Sequence, residues 1–376
     1  MPAGGRQAAP LRVHGVRTEG GQARASRGRD RIAGRLHGER QLDRQGDADR
    51  QVRTQEVAAG GTARAVPEPA VVLLNPRAAG GRAARLAEPL RRWLAQQAPD
   101  VPLQIPDAID AGRASLMDRP SGSRVVLVGG DGTLQRVLPA VLARQLSVGL
   151  VPVGSGNDLG RALGLRGVAW PQALSLALRA PAVECDIGEL VTDDGCVPFA
   201  SSLAAGFDAA VAARAHAGPD WLRGVPRYLW ATLRELASLR CWRVHVRADG
   251  AMVHDGDALF ASVLNTPTYG AGMPAVPHAR IDDGRLDLLI AGRFGRVGTL
   301  AMLPRLLAGS HLGHPRVQAT RFAVLRVDTG RAMPLAADGE PVGETRAFSV
   351  RVRPGALRVA GPESVAPRRT DRPAAA

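Results

Sequence analysis

The chain of 376 residues contains no lysine, so all 49 of its basic side chains are arginines. A P-loop nucleotide-binding protein needs the lysine of its G-x-x-x-x-G-K-[ST] motif, and a protein kinase needs a lysine on one of its strands. Both common designs for ATP-dependent phosphoryl transfer are therefore excluded. Any positive charge that meets a phosphate group must come from arginine, from backbone N–H groups or from a metal ion.

Aromatic residues and cysteines are also scarce, and no long uncharged run occurs. Phe, Trp and Tyr make up 3% of the chain and the net charge of +14 is diffuse, which argues against a dedicated nucleic-acid-binding protein. Cys185, Cys196 and Cys241 form no C-x-x-C pair, so a reduced cytoplasmic setting is the default expectation. No apolar stretch reaches the roughly 18 residues of a membrane span.

The first 66 residues differ from the rest of the chain. They contain 13 Arg against 7 Asp and Glu, a net charge of +6, and no Phe, Trp or Tyr. Such a segment cannot bury enough apolar surface to offset the entropy lost on ordering. We therefore predict a disordered basic tail over 1–66, with a start codon assigned too far upstream as the alternative. A second disordered tail is predicted over 363–376, and folded domains between the two.

Two units of strand, glycine loop and helix follow one another between residues 125 and 165. Residues 125–128 are a buried-looking strand that leads into the sequence GGDGT, after which apolar residues at i, i+3 and i+4 predict a helix. The same order recurs over 148–153, the sequence GSGND and 159–165. Because neighbouring strands of an open α/β sheet end at one edge, the two loops are expected to lie side by side, where such sheets bind ligands. The loop residues are Gly129, Gly130, Asp131, Gly132 and Thr133, and Gly154, Ser155, Gly156, Asn157 and Asp158.

The chemistry of these loops favours phosphate. Glycines allow close approach, and the N–H groups at the start of each following helix have no intrahelical partner, so they can point at phosphate oxygens. Asp131 would repel a phosphate unless a divalent cation lay between them, so we interpret it as acting through magnesium. The plainer alternatives are a tight Gly-Asp-Gly turn, and a helix-capping role for Asn157 and Asp158.

A third unit of the same kind opens the folded part of the chain. Residues 70–74 predict a strand, residues 82–97 predict a helix, and the loop between them reads NPRAAGG. The Asn75 side chain can bridge neighbouring loops, and Arg77 could reach a phosphate. An ordinary Asn-Pro turn that ends a strand is the alternative.

The pair of loops GGDGT and GSGND resembles the catalytic domain of diacylglycerol kinases and related lipid kinases, a group that includes sphingosine and ceramide kinases. GGDGT alone is shared with NAD kinases. The NPRAAGG loop is similar to the family's N-P-x-x-G nucleotide loop, although Ala79 stands where a glycine is usual, and Ser155 replaces the usual threonine. The resemblance implies that Asn75, Pro76, Arg77 and Gly80 bind ATP together with the ten residues of the two other loops.

From residue 183 onward, short β runs separated by turn signals replace the alternation of strands and helices. One-sided alternation, as over 243–247, predicts an antiparallel sheet. The predicted runs cover 183–191, 199–204, 243–247, 259–264, 286–290, 322–327 and 347–352. We predict a fold of α/β plus β class: a Rossmann-like nucleotide domain over 67–180 and a β-sandwich-like lipid-substrate domain over 181–362, with the active site in the cleft.

Residues 221–242 combine an apolar helical stripe with a border of aromatic residues and arginines. The stripe is formed by Leu222, Val225, Leu229, Leu233 and Leu236. Such a border suits a lipid headgroup interface. An ordinary amphipathic helix that covers the sheet is at least as good an interpretation, and both stay open at this point.

Two carboxylate-rich turns complete the set of candidate sites. Adjacent carboxylates at a glycine turn offer magnesium its preferred oxygen ligands, and resemblance implies that Asp283 and the backbone carbonyls of Arg280 and Arg285 hold a structural magnesium. A plain Asp-Asp-Gly hairpin turn is the alternative. In the second turn, resemblance assigns Glu340 as the base that takes a proton from the acceptor alcohol, with Asp338 assisting; the alternative is a surface β-turn.

The predicted function is a cytoplasmic lipid kinase, peripherally associated with the inner face of the membrane, that uses ATP and Mg²⁺. Its first candidate reaction is phosphorylation of diacylglycerol to phosphatidic acid in phospholipid biosynthesis. No nucleic-acid partner is expected, and a homodimer is left open. One rival is an NAD kinase, whose downstream Asn-Glu and Asn-Thr-Asp-Gly motifs are absent. Another is a membrane-surface pseudokinase, although Asp131, Asp283, Asp338 and Glu340 are all retained.

Overall fold

The computed structural model describes residues 69–154, 156–219, 221–222, 225–270 and 272–361, with the backbone alone at Val225. The predicted tails and Ser155 therefore lie outside the described residues. The strands are β1 Ala70–Leu74, β2 Leu103–Gln104, β3 Arg124–Gly129, β4 Ser147–Pro152, β5 Ala182–Thr192, β6 Gly195–Phe199, β7 Ser202–Ala205, β8 Trp242–Ala248, β9 Ala251–Leu264, β10 Leu286–Gly292, β11 Val317–Phe322, β12 Val324–Ala337 and β13 Glu340–Ala360. The α-helices are α1 Ala87–Gln97, α2 Ile109–Met117, α3 Asp131–Ala143, α4 Asp158–Ala162, α5 Trp170–Arg179, α6 Phe207–His216, α7 Val225–Ala237 and α8 Arg296–Leu307. Short 3₁₀ turns occupy Arg82–Leu86 and His311–Gly313.

The first part of the sheet is parallel, in the order β2, β1, β3, β4. Strands β1 and β3 are buried along their whole length because helices cover both faces, which explains their apolar sequences. One face packs on the apolar side of α3, through residues such as Leu127 and Leu138. The opposite face packs on α1 and α5, through residues such as Val126 and Leu174. All three predicted units of strand, loop and helix are present.

Strand β13 joins the parallel part to the antiparallel part. Its last residues, Arg358 to Ala360, run parallel to Ser147, Val148 and Gly149 of β4. Its earlier residues pair antiparallel with β12 and β5. The result is one continuous 13-stranded sheet with an α/β part and an antiparallel β part, so the predicted fold class is confirmed. The domain limits at 67, 180 and 362 stay a prediction.

Two runs that the sequence predicts as single strands are each divided in the structure. Residues 199–204 split between β6 and β7, because the backbone N–H groups of Ala200 and Ser201 turn to the Asp338 carboxylate. Residues 322–327 split between β11 and β12, because the N–H groups of Ala323 and Val324 both donate to Asp249 Oδ1. In both cases a distant carboxylate binds the backbone that would otherwise continue the ladder.

Helices α6 and α8 were not predicted, and α7 lies where the apolar stripe placed a helix. The stripe on α7 is divided: Leu236 is buried, whereas Leu229 and Leu233 are about half exposed, at 48% and 51%. Within the described ranges, every helix is too short or too polar to cross a bilayer.

Glycine at position 149 allows β4 and α5 to approach closely. A Cβ on Gly149 would lie 2.5 Å from the carbonyl oxygen of Ala177 and 2.6 Å from its Cβ. These atoms belong to a buried strand and a packed helix, so neither side can yield without shifting backbone.

The substitution Gly149→Ala is therefore expected to lower the free energy of unfolding by about 1–3 kcal/mol, as overpacking does in well-packed cores. Urea unfolding measures this change. Gly313→Ala is the matched control, because no atom lies within 4 Å of a Cβ at that position. A loss at position 149 no larger than the control's would contradict the proposed helix–strand contact.

A buried carboxylate, Asp208, lies at the start of α6. Its Oδ2 accepts hydrogen bonds from the hydroxyls of Ser262 at 3.1 Å and Tyr269 at 3.0 Å. Burial raises the pKa of Asp208 from 3.8 to about 7, although the two hydroxyl donors act in the opposite direction. The folded chain therefore holds a proton here that the unfolded chain releases.

Because the folded-state pKa of Asp208 is raised, its contribution to stability is complete below about pH 4 and is lost as the pH rises through about 7. Asp208→Asn is neutral in both states. Between these pH values, its free energy of unfolding should fall by on the order of 3 kcal/mol less than that of the wild type. Urea unfolding across this range tests the prediction, and identical slopes for the two proteins would contradict it.

Candidate active site

The carboxyl ends of β1, β3 and β4 lie side by side and carry the three predicted loops. Leu74 pairs with Val128, and Gly129 pairs with Pro152. The backbone continues this pairing for one residue beyond β4, since the Val153 N–H donates to the Gly129 carbonyl at 2.9 Å. The predicted adjacency of the loops is confirmed.

A side-chain hydrogen bond connects the loop after β1 (NPRAAGG, the first loop) to the loop after β3 (GGDGT, the second loop). Asn75 Nδ2 donates to Thr133 Oγ1 at 2.9 Å, so the predicted bridging role of Asn75 is confirmed. Thr133 is buried, and its hydroxyl lies so close to Gly129 that a Cβ there would be 2.4 Å away. Thr133 therefore fixes the GGDGT loop from within, and its hydroxyl is engaged by protein groups.

The first loop turns through three consecutive residues with positive φ: Ala79 at 55°, Gly80 at 65° and Gly81 at 86°. The left-handed conformation costs an alanine energy that a glycine avoids. This agrees with the departure at position 79, where the family usually has glycine. Pro76 is half-buried and Arg77 is exposed at the same edge, with the Arg77 N–H bonded to Asn75 Oδ1 at 3.1 Å.

The second loop and the loop after β4 (GSGND, the third loop) touch through their glycines. A Cβ on Gly154 would lie 2.8 Å from Asn157 Oδ1 and 3.0 Å from Gly130 Cα. The Asn157 side chain donates from Nδ2 to the Gly154 carbonyl at 2.6 Å and makes no capping bond to α4, so the capping alternative does not hold for it. Its buried Oδ1 has no hydrogen-bond partner within the described chain. Gly156 is held through its carbonyl, which accepts from Arg161 Nε at 2.8 Å.

The two loops also line one small cavity. Its walls are formed by Leu127, Gly129, Gly130, Asp131, Leu134, Leu150, Val151, Pro152, Asn157 and Gly160. Gly132 does not line this cavity and faces Glu340 instead.

Asp131 and Asp158 place two carboxylates at this edge. Asp131 Oδ2 accepts the backbone N–H of Asp158 at 3.0 Å, and Asp158 Oδ1 accepts the Thr268 hydroxyl at 2.6 Å. Burial raises the pKa of both carboxyls, and for Asp131 the charge of Asp158 adds to the effect. Each of these two carboxylates disfavours ionisation of the other. Carboxyl groups with pKa values shifted in this way are concentrated at functional sites.

The turn of the sequence Asp338-Gly339-Glu340 connects β12 to β13 and reaches the second loop. Asp338 is buried and has φ of 48°; its carboxylate accepts N–H groups from Ala200 at 2.8 Å, Ser201 at 2.8 Å and Ser202 at 2.9 Å. Burial raises its pKa to about 6 against these donors. Both of its oxygens accept backbone N–H groups, so Asp338 holds the turn in place. Its predicted assisting role beside Glu340 stays a prediction.

Glu340 is the member of this turn that faces the loops. Its Oε1 lies 2.7 Å from where a Cβ on Gly132 would be, so a larger residue at position 132 would push the carboxylate aside. The Glu340 side chain is 23% exposed, so it is partly accessible from solvent. The structure thus brings Glu340 and the Gly-Asp-Gly loop together, as predicted.

Two residues near Glu340 were missed by the sequence reasoning. Arg136 Nη2 lies 3.1 Å from Glu340 Oε2. The Tyr228 hydroxyl, carried by α7, lies 3.8 Å from where a Cβ on Gly339 would be, and burial with the nearby charges of Asp158 and Asp131 raises its pKa. Neither residue carries a local motif, because each is defined by a partner more than a hundred positions away.

The predicted magnesium turn lies apart from these contacts. Asp283 Oδ1 accepts the Arg285 N–H at 3.0 Å, and its Oδ2 is ion-paired with Arg321. Arg280 pairs with Asp282 at 3.2 Å. The ion pair with Arg321 already supplies one positive charge beside Asp283. The predicted magnesium role of Asp283 and of the Arg280 and Arg285 carbonyls stays a prediction.

The loop edge fits a magnesium-bound polyphosphate. Its glycines leave space next to the starts of α3 and α4, the Asn157 oxygen is unpaired, and Asp131 and Asp158 are enclosed carboxylates. A divalent cation would offset the mutual repulsion of these carboxylates and link them to phosphate oxygens.

Two family models match the chain, and together they span nearly all described residues. Residues 69–190 match the diacylglycerol kinase catalytic domain, and residues 201–361 match the YegS C-terminal NAD kinase beta sandwich-like domain. Among solved structures, a diacylglycerol kinase from Bacillus anthracis str. Sterne superposes with a TM-score of 0.60 at 16% identity. That superposition covers 79% of this chain and 98% of the other, and it supports the fold.

Two curated relatives extend the comparison along most of their own length. A protein named "Diacylglycerol kinase" from Mycobacterium tuberculosis (strain ATCC 25618 / H37Rv) is 30% identical over 259 residues, which cover 68% of this chain and 84% of the relative. A protein named "Probable lipid kinase YegS-like" from Pseudomonas fluorescens (strain Pf0-1) is 32% identical over 260 residues, which cover 67% and 81%. With the glycine loops, the turn that carries Glu340 and these matches in agreement, the chain belongs to the family of diacylglycerol kinases and YegS-like lipid kinases.

Proposed function

We propose that this protein transfers the γ-phosphoryl group of ATP to the hydroxyl of a lipid, with diacylglycerol as the acceptor and phosphatidic acid as the product. The observation that carries the proposal is the placement of Glu340 against Gly132 of the GGDGT loop. A base and a phosphate-binding loop are thereby in contact although they lie far apart in the chain. Phosphoryl transfer to an alcohol requires this proximity.

The three loops act as the nucleotide site in this proposal. The N–H groups at the start of α3, together with the glycines, receive the phosphates. Asn75 and Thr133 hold the first two loops in register, and Arg77 supplies positive charge at the open edge. Residues of the GSGND loop enclose the other side, where Asn157 offers an unpaired oxygen.

Glu340 acts as the general base. The acceptor hydroxyl loses its proton to a Glu340 oxygen as its own oxygen bonds to the γ-phosphorus, while the bond from that phosphorus to the bridging oxygen of ADP breaks. Asp338 keeps the turn in place through its three backbone hydrogen bonds. Asp131 and Asp158 would hold Mg²⁺, which when bound neutralises phosphate charge.

The substitution Glu340→Gln is expected to lower kcat by about 10²–10⁴, the usual contribution of a general base, because the amide cannot take the proton. The measurement is Mg²⁺-dependent transfer of labelled γ-phosphate from ATP to lipids in mixed micelles. The panel contains diacylglycerol, phosphatidylglycerol, sphingosine and ceramide, with NAD as a further acceptor.

Glu344→Gln is the matched control, since Glu344 is exposed on the same strand four residues further on and should leave the rate unchanged. Labelling of diacylglycerol that survives Glu344→Gln but not Glu340→Gln supports the proposal. Labelling of another lipid corrects the substrate. Labelled NAD would favour the NAD kinase alternative, and a wild type that labels no acceptor would favour the pseudokinase.

We further propose that the enzyme works at the cytoplasmic face of the membrane, in phospholipid biosynthesis, and docks through α7 and α8. These helices share a packed cluster that includes Leu236 and Phe294, and Arg296 Nη2 donates to the Ala237 carbonyl at 2.8 Å. Their neighbourhood carries six of the nine large apolar side chains that are exposed in the described structure. The six are Trp221, Leu229, Leu233, Val297, Leu300 and Leu307.

The charges near these helices suit an anionic lipid surface. Helix α8 has Arg296 and Arg305 but no acidic residue. The one acidic residue of α7, Glu235, is ion-paired with Arg214 of α6. Apolar side chains bordered by arginine are typical of proteins that rest on a headgroup layer.

The double variant Leu229→Ser/Leu233→Ser is expected to bind vesicles rich in phosphatidylglycerol at least about tenfold more weakly, because it removes exposed apolar area that would enter the bilayer. Co-sedimentation with vesicles measures the binding. The control is Met252→Ser/Val324→Ser, which removes two equally exposed apolar side chains from β9 and β12. Equal losses in the two double variants would contradict this docking surface.

A further inference from the structure

Arg136 links Glu340 to a second carboxylate. From α3, its Nη2 reaches Glu340 Oε2 at 3.1 Å and its Nη1 reaches Asp110 Oδ2 at 3.4 Å. Arg136 stands five residues after Asp131 on the helix that begins in the GGDGT loop. The guanidinium thus joins α2, α3 and the start of β13 at one point.

This ion pair completes the confinement of the Glu340 carboxylate. One oxygen lies against Gly132, at 2.7 Å from a Cβ position there, and the other lies against the guanidinium. The Arg136 side chain is 41% exposed and that of Glu340 23%, so solvent screens the pair and its energy is modest. Its main effect is therefore on orientation, which a planar guanidinium controls better than a point charge.

We propose that Arg136 is a positioning residue for the reaction: it sets the direction of the Glu340 carboxylate, and Asp110 steadies the guanidinium from its other side. The inference rests on the proposed role of Glu340 as base. It predicts that Arg136 acts on the rate through Glu340 and not through binding of the nucleotide. A direct contact between Arg136 and the phosphates is the competing role, and kinetics separate the two.

Arg136→Gln should lower kcat about tenfold while the KM for ATP changes by less than about twofold, since a displaced base slows the proton transfer and leaves nucleotide binding intact. Arg136→Lys should recover only part of kcat, because an ammonium cannot keep both contacts. Asp110→Asn should cause a smaller loss of kcat, about twofold to threefold, because it weakens only the contact that steadies the guanidinium on the side away from Glu340. An unchanged kcat in Arg136→Gln, or a large rise of the ATP KM in place of the fall in kcat, would overturn the proposal.

A double-mutant cycle supplies the decisive comparison. In a Glu340→Gln background, Arg136→Gln should have no further effect on the residual kcat, because the residue through which it acts is already lost. The urea midpoints of the same four proteins should be non-additive in the same way, and they give a result even where residual activity is too small to measure. Additive effects in both measurements would overturn the proposal.

Failure of this inference is distinguishable from failure of the proposed function. A wild type that phosphorylates no lipid overturns the function, and with it this role for Arg136. A wild type that loses its activity in Glu340→Gln but keeps it in Arg136→Gln overturns the Arg136 role alone.

Discussion

Three backbone N–H groups converge on the carboxylate of Asp338, and much of the site depends on this contact. The donors, Ala200, Ser201 and Ser202, mark the break between β6 and β7, so the aspartate determines where one strand ends and the next begins. The same residue starts the turn into β13, with φ of 48°. The Asp338 side chain therefore connects the β12–β13 turn to the break between β6 and β7. This contact holds Glu340, two residues further along the chain, in position. The burial that raises the pKa of Asp338 to about 6 is the electrostatic cost of this arrangement.

Strand β13 connects this turn to the parallel part of the sheet. It begins at Glu340 beside the Gly-Asp-Gly loop and ends in parallel pairing with β4, the strand that precedes the GSGND loop. The candidate base and the candidate phosphate site are therefore connected through one continuous sheet.

The sequence was sufficient for the parts of the fold that depend on local patterns. Strands β1, β3 and β4 and their loops follow from apolar runs that end in glycines, and right-handed crossovers then place Asn75, Gly129 and Gly154 at one edge. The strand breaks at Ala200 and Ala323 could not be predicted this way, because distant carboxylates cause them. The role of Arg136 could not be predicted for the same reason. Arginines are common on amphipathic helices, and only the structure shows its partner, Glu340, 204 positions away. At the Asp283 turn the motif was visible in the sequence, but its ion pair with Arg321, 38 positions away, was not.

The two faces of α7 connect the surface of the protein with this turn. Leu229 and Leu233 are exposed on the helix, while Tyr228, next to Leu229, is carried inward to Gly339. If the lipid kinase reaction takes place as proposed, the acceptor hydroxyl must travel from the bilayer to Glu340 past this helix. The phenol of Tyr228 is protonated at neutral pH even at its ordinary pKa, and its surroundings raise that pKa further, so it can donate a hydrogen bond there. In the proposed reaction, a lipid hydroxyl that reaches the turn therefore lies near a neutral donor, Tyr228, and an acceptor, Glu340, and such a pair of contacts would orient it before it reacts.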